Sequence, residues 1–447
     1  MPLNKPSWRG WLARNVYVLL LRLGTPAYLW RVWSRGREEP GYRARWPERL
    51  GFGGERVASG GPVVWVHAVS LGEARAAEPL VHALRATVPG MRLLLTHTTA
   101  TGREAGQRLL QAGDAQVWLP YDTPGAVRRF LRRHRPAVGV LMETEVWPTL
   151  QHEAAKAAVP MVLANARLSA KSLRQGQRFA ALLRPAAQGL TMALAQTPDD
   201  AERLRQMGAP DVRVMGNVKY DMTPAPAMLA LGQQWAGARA AGQAVRPLVL
   251  AASTREGEEP ALLEAWRAQQ AAMSAPAPRL FIVPRHPQRF DEVAALVQAQ
   301  GLILSRRSTW ADGVPDAQAQ QADVWLGDSM GEMPAYYAAA HVALLGGSFQ
   351  PLGGQNLIEA AACACPIVMG PSTFNFAEAA ELSLEAGSAF RVQDWAAGVA
   401  RSVALVRDPA ALARARASAL AFSQAHRGAA QRMAEAIAAT VQGRAQA

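Results

Sequence analysis

Short apolar runs alternate with segments of helical spacing along most of this chain, and this alternation is the feature that most constrains its fold. From Pro62 onward the runs are apolar at successive positions, as in P-V-V-W-V, which suits strands buried on both faces. Segments rich in Ala, Arg and Leu with a helical period separate the runs. This pattern predicts an α/β fold with parallel sheets covered by helices.

The alternation occurs twice, and a chain of 447 residues exceeds what one hydrophobic core ordinarily supports. We therefore predict two doubly wound, Rossmann-like domains that face each other across a cleft, with ligands at the carboxyl ends of the strands. The predicted limits are 1–56 for a basic, Trp-rich N-terminal segment, 57–222 for the N-terminal α/β domain, 223–246 for a linker with one short helix, 247–425 for the C-terminal α/β domain and 426–447 for a helical tail.

The N-terminal segment carries much of the formal net charge of +13, because residues 1–56 hold eleven Lys or Arg against four Asp or Glu. Five Trp are interleaved with these charges, and the apolar run V-Y-V-L-L-L is far too short to span a bilayer. These features predict a helix on an anionic membrane surface; an amphipathic helix docked on the domain is the alternative. Nucleic acid is not a predicted partner, since no nucleic-acid-binding motif stands out.

Charged residues follow apolar runs of the first domain in three motifs. In S-L-G-E, Ser70 and Glu73 have the spacing of a capping box, so Glu73 is either a cap or a carboxylate, held ionised by the helix dipole, that takes a proton from an attacking hydroxyl. Glu143 and Glu145 end a later strand as a catalytic pair or as part of a structural salt bridge. Lys219, one of only four lysines, either neutralises an anionic substrate or is solvated.

The second domain carries the features of a nucleotide site. Strand ends are followed by P-R-H-P-Q-R-F, by D-S-M-G-E-M and by the glycine-rich G-G-S-F-Q-P-L-G-G-Q-N-L-I-E. Backbone N–H groups at the helix starts would bind phosphate, and the Glu359 carboxylate would accept both ribose hydroxyls. The alternative for the glycines is a loop that needs positive φ values. The loop is neither G-x-G-x-x-G nor a P-loop, which argues against a dinucleotide or a P-loop nucleotide.

Several motifs of metal and cofactor chemistry are absent from the sequence. There is no D-x-D for a metal-bound diphosphate donor, no H-E-x-x-H and no G-x-S-x-G. Cys363 and Cys365, one residue apart, suit neither a disulfide framework nor a zinc site and indicate a reducing compartment. We predict that the chain uses no metal and no cofactor, and that His67, His97 and His152 are structural.

Taken together and in order, the motifs H-A-V-S-L-G-E, L-M-E-T-E-V-W-P, N-A-R-L-S, G-N-V-K-Y-D, P-R-H-P-x-R-F, G-D-S-M-G-E and G-G-Q-N-L-I-E-A-A resemble those of the 3-deoxy-D-manno-octulosonic acid (Kdo) transferases of lipopolysaccharide assembly. The resemblance runs from about residue 10 to about residue 420. It implies a glycosyltransferase-B fold and inverting transfer of Kdo from CMP-Kdo, bound by the C-terminal domain, to a lipid A precursor (lipid IVA), bound by the N-terminal domain. It also implies a place on the cytoplasmic face of the inner membrane, reached through the N-terminal segment.

The resemblance assigns a role to each motif. Glu73 resembles the general base, and Glu143 and Lys219 resemble the residues that stabilise the transition state. Gln355 replaces a His common in that family. CMP-Kdo is then a substrate. A glycosyltransferase of the same fold with a UDP-sugar donor is the alternative enzyme, and a basic membrane-surface or nucleic-acid-binding protein with a degenerate cleft is the alternative class. The implied CMP-binding set is Arg285, His286, Met330, Gly331, Glu332, Asn356, Leu357, Ile358 and Glu359.

Overall fold

A computed structural model describes residues 8–238, 245–272 and 277–445. The chain divides into two compact units, of which the first comprises residues 1–221 and 427–447 and the second comprises residues 222–426. The N-terminal segment and the C-terminal tail therefore both belong to the first unit. The five domain limits given above, and the cleft expected between the domains, stay predictions.

The strands within the described ranges are short and regularly spaced. They are β1 (Val63–His67), β2 (Arg92–His97), β3 (Ala115–Trp118), β4 (Val138–Met142), β5 (Met161–Ala166), β6 (Met192–Ala195), β7 (Val212–Val214), β8 (Leu248–Thr254), β9 (Arg279–Pro284), β10 (Leu304–Arg306), β11 (Val324–Leu326), β12 (Val342–Leu345), β13 (Ile367–Met369) and β14 (Ala389–Arg391).

Helices alternate with these strands and also form both ends of the described chain. They are α1 (Trp8–Arg35), α2 (Leu71–Thr87), α3 (Ala100–Gly106), α4 (Pro124–His134), α5 (Pro148–Lys156), α6 (Ala170–Arg178), α7 (Ala180–Gln188), α8 (Pro198–Met207), α9 (Pro226–Gly237), α10 (Glu258–Ala271), α11 (Phe290–Ala299), α12 (Ala317–Gln321), α13 (Met333–Ala339), α14 (Leu357–Ala362), α15 (Ala377–Glu385), α16 (Trp395–Arg407), α17 (Pro409–Ala425) and α18 (Ala429–Ala445).

Each unit is built on one sheet whose described strands are all parallel. The strand order is β3-β2-β1-β4-β5-β6-β7 in the first unit and β10-β11-β9-β8-β12-β13-β14 in the second. Both sheets are thus doubly wound, which confirms the predicted pair of Rossmann-like domains. The winding reverses between β1 and β4 and between β8 and β12, so the loops after these strands flank the topological switch points where ligands bind in such sheets.

Both faces of the first sheet are covered. Val64 and Val66 pack with α2 on one face, and Trp65 packs against Phe130 of α4 on the other, with ring centroids 4.8 Å apart. All three strand residues are fully buried. Because neither face meets water, each strand needs apolar residues at successive positions, and this is the pattern visible in the sequence.

The C-terminal helix α18 packs on the same face of the first sheet as α2. Met433 and Ile437 are fully buried in the cluster that also contains Val64. The Asp221 carboxylate accepts hydrogen bonds from the backbone N–H groups of Gly428 and Ala430, the latter at 2.6 Å, and so caps the start of α18. The tail is therefore part of the core of the first unit.

Helix α9 lies within the stretch predicted as a linker, residues 223–246, and packs into the second unit. Its Trp235 is fully buried, and the indole N–H donates to the carbonyl oxygen of Gly313 at 2.8 Å. The ring meets Trp310 edge-on, with centroids 5.5 Å apart, and Tyr336 at 5.4 Å. Residues 239–244 of the same stretch lie outside the described residues.

Three strands were missed from the sequence, namely β3, β7 and β14, and all three are sheet edges. Each includes a polar or charged residue: Gln116, Arg213 and Arg391 respectively. An edge strand pairs on one side only, and β7 and β14 also expose residues to solvent. The apolar run that identifies a central strand is therefore shortened or interrupted at these three edges.

Candidate active site

Three carboxylates follow β1 and β4, at the switch point of the first sheet. The two strands are parallel neighbours, so their carboxyl ends lie at the same edge. Glu73 lies in the first turn of α2, and Glu143 and Glu145 follow β4. The charges of Glu143, Glu145 and Lys219 all act on the Glu73 carboxyl. The structure therefore brings together the three residues predicted as catalytic, and adds Glu145 to them.

Glu73 has the geometry of a helix cap. The Ser70 hydroxyl accepts from the Glu73 N–H at 3.4 Å, and Glu73 Oε2 accepts from the Val69 N–H at 2.7 Å. The reciprocal pair closes the turn as a capping box does, although the carboxylate reaches one residue further back than the N-cap. The capping interpretation of S-L-G-E is thus confirmed. It leaves Glu73 Oε1 uncommitted to the cap, so capping does not exclude proton transfer.

The pKa of Glu73 is raised from its ordinary value of 4.5 to about 7. Burial is the main cause, and the negative charges of Glu143 and Glu145 add to it, while the bond from Val69 and the charge of Lys219 oppose it. The expectation that the helix dipole holds this carboxylate ionised was wrong, because burial outweighs the bond from the Val69 N–H and the charge of Lys219. A carboxylate with a pKa near 7 is matched to proton transfer at neutral pH.

Lys219 forms an ion pair with Glu143, with 3.2 Å between Nζ and Oε1 and both side chains partly exposed. The salt bridge that remained open for Glu143 is therefore present, and the lysine is not merely solvated. Burial, helped by the charge of Glu143, raises the pKa of Glu145. The site thus combines one cation with three clustered carboxylates, an arrangement that can bind an anionic group and accept a proton.

At the switch point of the second sheet, β12 runs into the glycine-rich loop predicted to bind nucleotide. A Cβ on Gly346 would lie 2.4 Å from the carbonyl oxygen of Ser253, so only glycine permits this approach of β8 and β12. Gly347 has φ +70° and donates its N–H to Glu258 Oε2 at 2.8 Å. Gly353 and Gly354 also have positive φ, so the positive-φ interpretation is confirmed for three of the four glycines in the two pairs.

Glu258 and Glu259 were missed from the sequence, although both are fully buried at the start of α10. Glu258 accepts from the N–H groups of Arg255 and Gly347, both at 2.8 Å, and so ties the loop after β8 to the loop after β12. Burial raises its pKa. The signal available in the sequence was E-G-E-E directly after a strand, since carboxylates at a buried strand end need such partners.

Arg285 and His286 are exposed after β9, in a basic cluster. Burial and then the charges of Arg255, Arg285 and Arg289 lower the pKa of His286. Arg289 of the same motif is buried instead, and its two terminal nitrogens bind Glu259 at 2.7 and 2.9 Å. The motif therefore contains two exposed residues that can meet a ligand and one buried arginine that fixes the turn.

Asn356 begins α14 as predicted, and its side-chain oxygen accepts from the Ile358 N–H at 3.1 Å. The side chains of Leu357 and Ile358 are buried in the protein, so these two residues can offer a ligand only backbone groups. Glu359 lies in the first turn of α14 and is partly exposed. The helix start thus presents one side chain that caps the helix and one carboxylate.

The Met330-Gly331-Glu332 turn precedes α13. Met330 is 62% exposed, and Gly331 has φ +85°. Glu332 pairs with Arg307 at 2.8 Å and accepts a hydrogen bond from the Ser329 hydroxyl. These contacts fix the turn and leave the Met330 side chain and the Gly331 backbone as its exposed surface.

The histidines flagged in the sequence have structural surroundings. His67 and His97 are fully buried, and burial lowers their pKa values to about 3 and about 4, so both rings are neutral. His152 contacts Arg14, and burial lowers its pKa to about 4. In the described part of the chain, no cluster of three or more His, Cys, Asp or Glu could hold a metal ion.

Two doubly wound units with charged and glycine-rich loops at their switch points define a glycosyltransferase-B fold. A glycosyltransferase from Rickettsia africae is similar to this chain with a TM-score of 0.56 at 9% identity, over 86% of this chain and 99% of that protein. At this identity the likeness shows the fold alone.

The sequence comparisons identify the family. The model for 3-deoxy-D-manno-octulosonic acid transferases (kdotransferases) matches residues 44–222. The 3-deoxy-D-manno-octulosonic acid transferase of Bordetella pertussis is 48% identical over 95% of this chain and 99% of its own length. That of Haemophilus influenzae is 33% identical over 87% of this chain and 90% of its own length. The chain belongs to the Kdo transferase family, and it is a glycosyltransferase that transfers Kdo in lipopolysaccharide biosynthesis.

Because the pKa of Glu73 is raised, we expect the free energy of unfolding to depend on pH. A carboxyl that is protonated more readily in the folded than in the unfolded chain lowers the free energy of unfolding as pH rises from about 4.5 to about 7. Glu73→Gln removes this loss, so the variant should gain about 1–2 kcal/mol over wild type above pH 7 and little at pH 4.5, solvent screening included. Urea unfolding at both pH values measures the difference. An equal difference at both would contradict the raised pKa.

Proposed function

We propose that this enzyme transfers Kdo from CMP-Kdo to a lipid A precursor, lipid IVA, with inversion at the anomeric carbon. The observation that carries the proposal is the Glu73 carboxyl, with a pKa near 7, beside the Lys219–Glu143 pair at the switch point of the first sheet. Membership of the Kdo transferase family supports the identity of the sugar. The proposal concerns the donor, the acceptor and the work of the individual residues.

Glu73 acts as the general base. The acceptor hydroxyl must lose its proton as its oxygen attacks the anomeric carbon of Kdo, and a partly buried carboxylate with a pKa near 7 takes that proton. CMP departs with the electrons of the bond it loses. Attack from the face opposite CMP inverts the anomeric centre.

Lys219 stabilises negative charge in the transition state. The donor sugar bears a carboxylate and the leaving CMP is an anion, so a fixed cation near the reacting centre lowers the barrier. The Glu143 carboxylate, 3.2 Å from Nζ, holds the ammonium group in place. The same charge lowers the pKa of Glu73 and keeps part of the base ionised.

The second unit binds CMP. Arg285 supplies positive charge for the phosphate, and the neutral His286 ring supplies an N–H donor. The exposed turn at Met330 and Gly331 before α13 lies against the phosphate. The Glu359 carboxylate accepts hydrogen bonds from the ribose hydroxyls. Asn356 caps the start of α14, and Leu357 and Ile358 contribute backbone groups there. Glu332 acts by fixing its turn through Arg307. The absence of D-x-D from the sequence supports a leaving group that needs no chelating metal.

Mass spectrometry of the product formed from CMP-Kdo and lipid IVA tests this function. The expected product is heavier than lipid IVA by a whole number of Kdo residues, and CMP is released in proportion. Isothermal titration with CMP and UDP is the companion measurement. Clear preference for UDP, with no Kdo product, would favour the alternative in which a glycosyltransferase of this fold uses a UDP-sugar.

We further propose that α1 places the enzyme on the cytoplasmic face of the inner membrane. Its apolar side chains are exposed along one face at helical spacing, and residues 1–56 are strongly basic, which suits an anionic lipid surface. Of the helices that the structure describes, none has the length and apolar character needed to cross a bilayer. The large apolar side chains that α1 exposes are Trp8, Trp11, Leu12, Val16, Leu19, Leu20, Leu23, Trp30 and Trp33.

Vesicle flotation measures this attachment. Replacing Leu20 and Leu23, which are 63% and 70% exposed, with Glu should weaken binding to vesicles that contain anionic lipid by about 10–100-fold, because apolar burial in the bilayer is lost. Ile303→Glu, at an equally exposed apolar side chain of the second unit, is the control and should bind as wild type does. Equal binding of all three proteins would contradict a membrane role for α1.

A further inference from the structure

A network of side-chain amides binds the backbone of the turn that carries Lys219, the partner of Glu143. Asn165 is fully buried near the end of β5, and its Oδ1 accepts from the Val218 N–H at 3.2 Å, next to Lys219 in the chain. Gln196 Nε2 donates to the carbonyl oxygen of Asn165 at 2.9 Å. Asn217 Nδ2 donates to Gln196 Oε1 at 3.0 Å, and Asn217 Oδ1 accepts from the Lys219 N–H at 3.0 Å.

The backbone on either side of Asn165 holds the other member of the pair. The Glu143 N–H donates to the carbonyl oxygen of Ala164 at 2.9 Å, and the Arg167 N–H donates to the carbonyl oxygen of Glu143 at 3.2 Å. Glu143 and Asn165 both have left-handed backbones, with φ +57° and +50°, and the register between β5 and β6 shifts at this point. Such a conformation is costly for a residue other than glycine and persists where surrounding contacts impose it.

The turns that carry the two members of the ion pair are therefore both held by hydrogen bonds to Asn165 or to residues close to it in the chain. The Asn165 side chain fixes the turn that carries Lys219, and the nearby Ala164 and Arg167 backbones fix the turn that carries Glu143. We propose that Asn165, through the bond that its side chain accepts from the Val218 N–H, is the positioning residue that sets the distance between Lys219 and Glu143 for Kdo transfer. This inference rests on the proposed roles of Lys219 and Glu143, and it assigns a task to the N-A-R-L-S motif.

Asn165→Gly is the sharpest variant, because glycine keeps the left-handed backbone without strain and removes only the amide. We expect kcat to fall about 10-fold with little change in the KM for CMP-Kdo, since a displaced charge loses transition-state stabilisation. Lys219→Met should lower kcat by about 10²-fold. The double variant should match Lys219→Met alone, because the amide acts only through the lysine.

A purely structural role would leave the pH profile unchanged. The charges that act on Glu73 come from Glu143 and Glu145 after β4 and from Lys219, and of these three charges only that of Lys219 lowers the pKa of Glu73. Displacing the lysine should therefore move the acid limb of kcat/KM to higher pH in both Asn165→Gly and Lys219→Met. Thr191→Val, which removes the hydroxyl that accepts from the Met161 N–H at the opposite end of β5, is the stability control and should leave that limb in place.

The outcomes separate this inference from the function on which it rests. Wild-type kcat in Lys219→Met would refute the proposed role of the lysine. If Lys219→Met is impaired but Asn165→Gly behaves like Thr191→Val, the positioning role of Asn165 is overturned and the proposed role of Lys219 stands. Independent, multiplying losses in the double variant would overturn it as well.

Discussion

The Glu73→Gln variant should lose about 10²–10⁴-fold in kcat for Kdo transfer, the contribution expected of a placed general base. Glutamine keeps the size of the side chain and an oxygen that can accept from the Val69 N–H, so α2 stays capped. It cannot take a proton from the acceptor hydroxyl. The measurement is steady-state release of CMP, together with titration of CMP to show that donor binding is retained.

Glu78→Gln is the matched control, because Glu78 lies on the same helix, is exposed and undergoes the same change of charge. It should retain wild-type kcat. In the wild-type enzyme, kcat/KM should fall tenfold for each pH unit below about 7, where Glu73 becomes protonated. If kcat is unchanged in Glu73→Gln, Glu73 is not the general base and serves only to cap α2.

The second large effect is on stability. Arg289→Met should lower the local free energy of unfolding around β8 and β9 by about 3–5 kcal/mol, because it leaves the fully buried Glu259 carboxylate without its bidentate partner. The same change should loosen the turn that carries Arg285 and His286 and weaken CMP binding. Hydrogen exchange of the backbone amides of β8 and β9 in the full chain measures the first effect, and titration with CMP measures the second.

Arg213→Met provides the comparison at the protein surface. Arg213 binds Asp211 at 3.1 and 2.7 Å, but both side chains are exposed, so the expected loss is at most about 1 kcal/mol. The double variant Arg289→Met/Glu259→Met should recover most of the stability, because two apolar side chains of similar size need no partner. Equal losses at Arg289 and Arg213 would show that burial does not strengthen the Glu259 pair.

The central strands were predictable because their environment is uniform. β1, β4, β8 and β12 are covered on both faces, so each needs a run of apolar residues that stands out in the sequence. The edge strands β3, β7 and β14 carry polar or charged residues that shorten or interrupt such a run. The elements against which α9 and α18 pack could not be predicted either, since an Ala-rich helix can pack on many apolar faces and the sequence does not say which.

The candidate site divides in the same way. Glu73, Glu143 and Lys219 were identified from motifs at strand ends, where parallel sheets collect functional residues. Asn165, Glu258 and Arg289 were not given their roles, because each role consists of hydrogen bonds or ion pairs to residues that are distant along the chain. The ionisation of Glu73 was misjudged for the same reason, since the local helix end was visible and the surrounding burial was not.

By itself, the sequence determined the two doubly wound sheets, the residues at their switch points and the family, because local periodicity and short motifs encode these directly. Only the tertiary structure decided which groups are desolvated, which charges are paired and which amides hold the turn that carries Lys219. Burial and pairing arise when segments far apart in the chain come together, and these contacts set both the pKa of Glu73 and the place of Lys219.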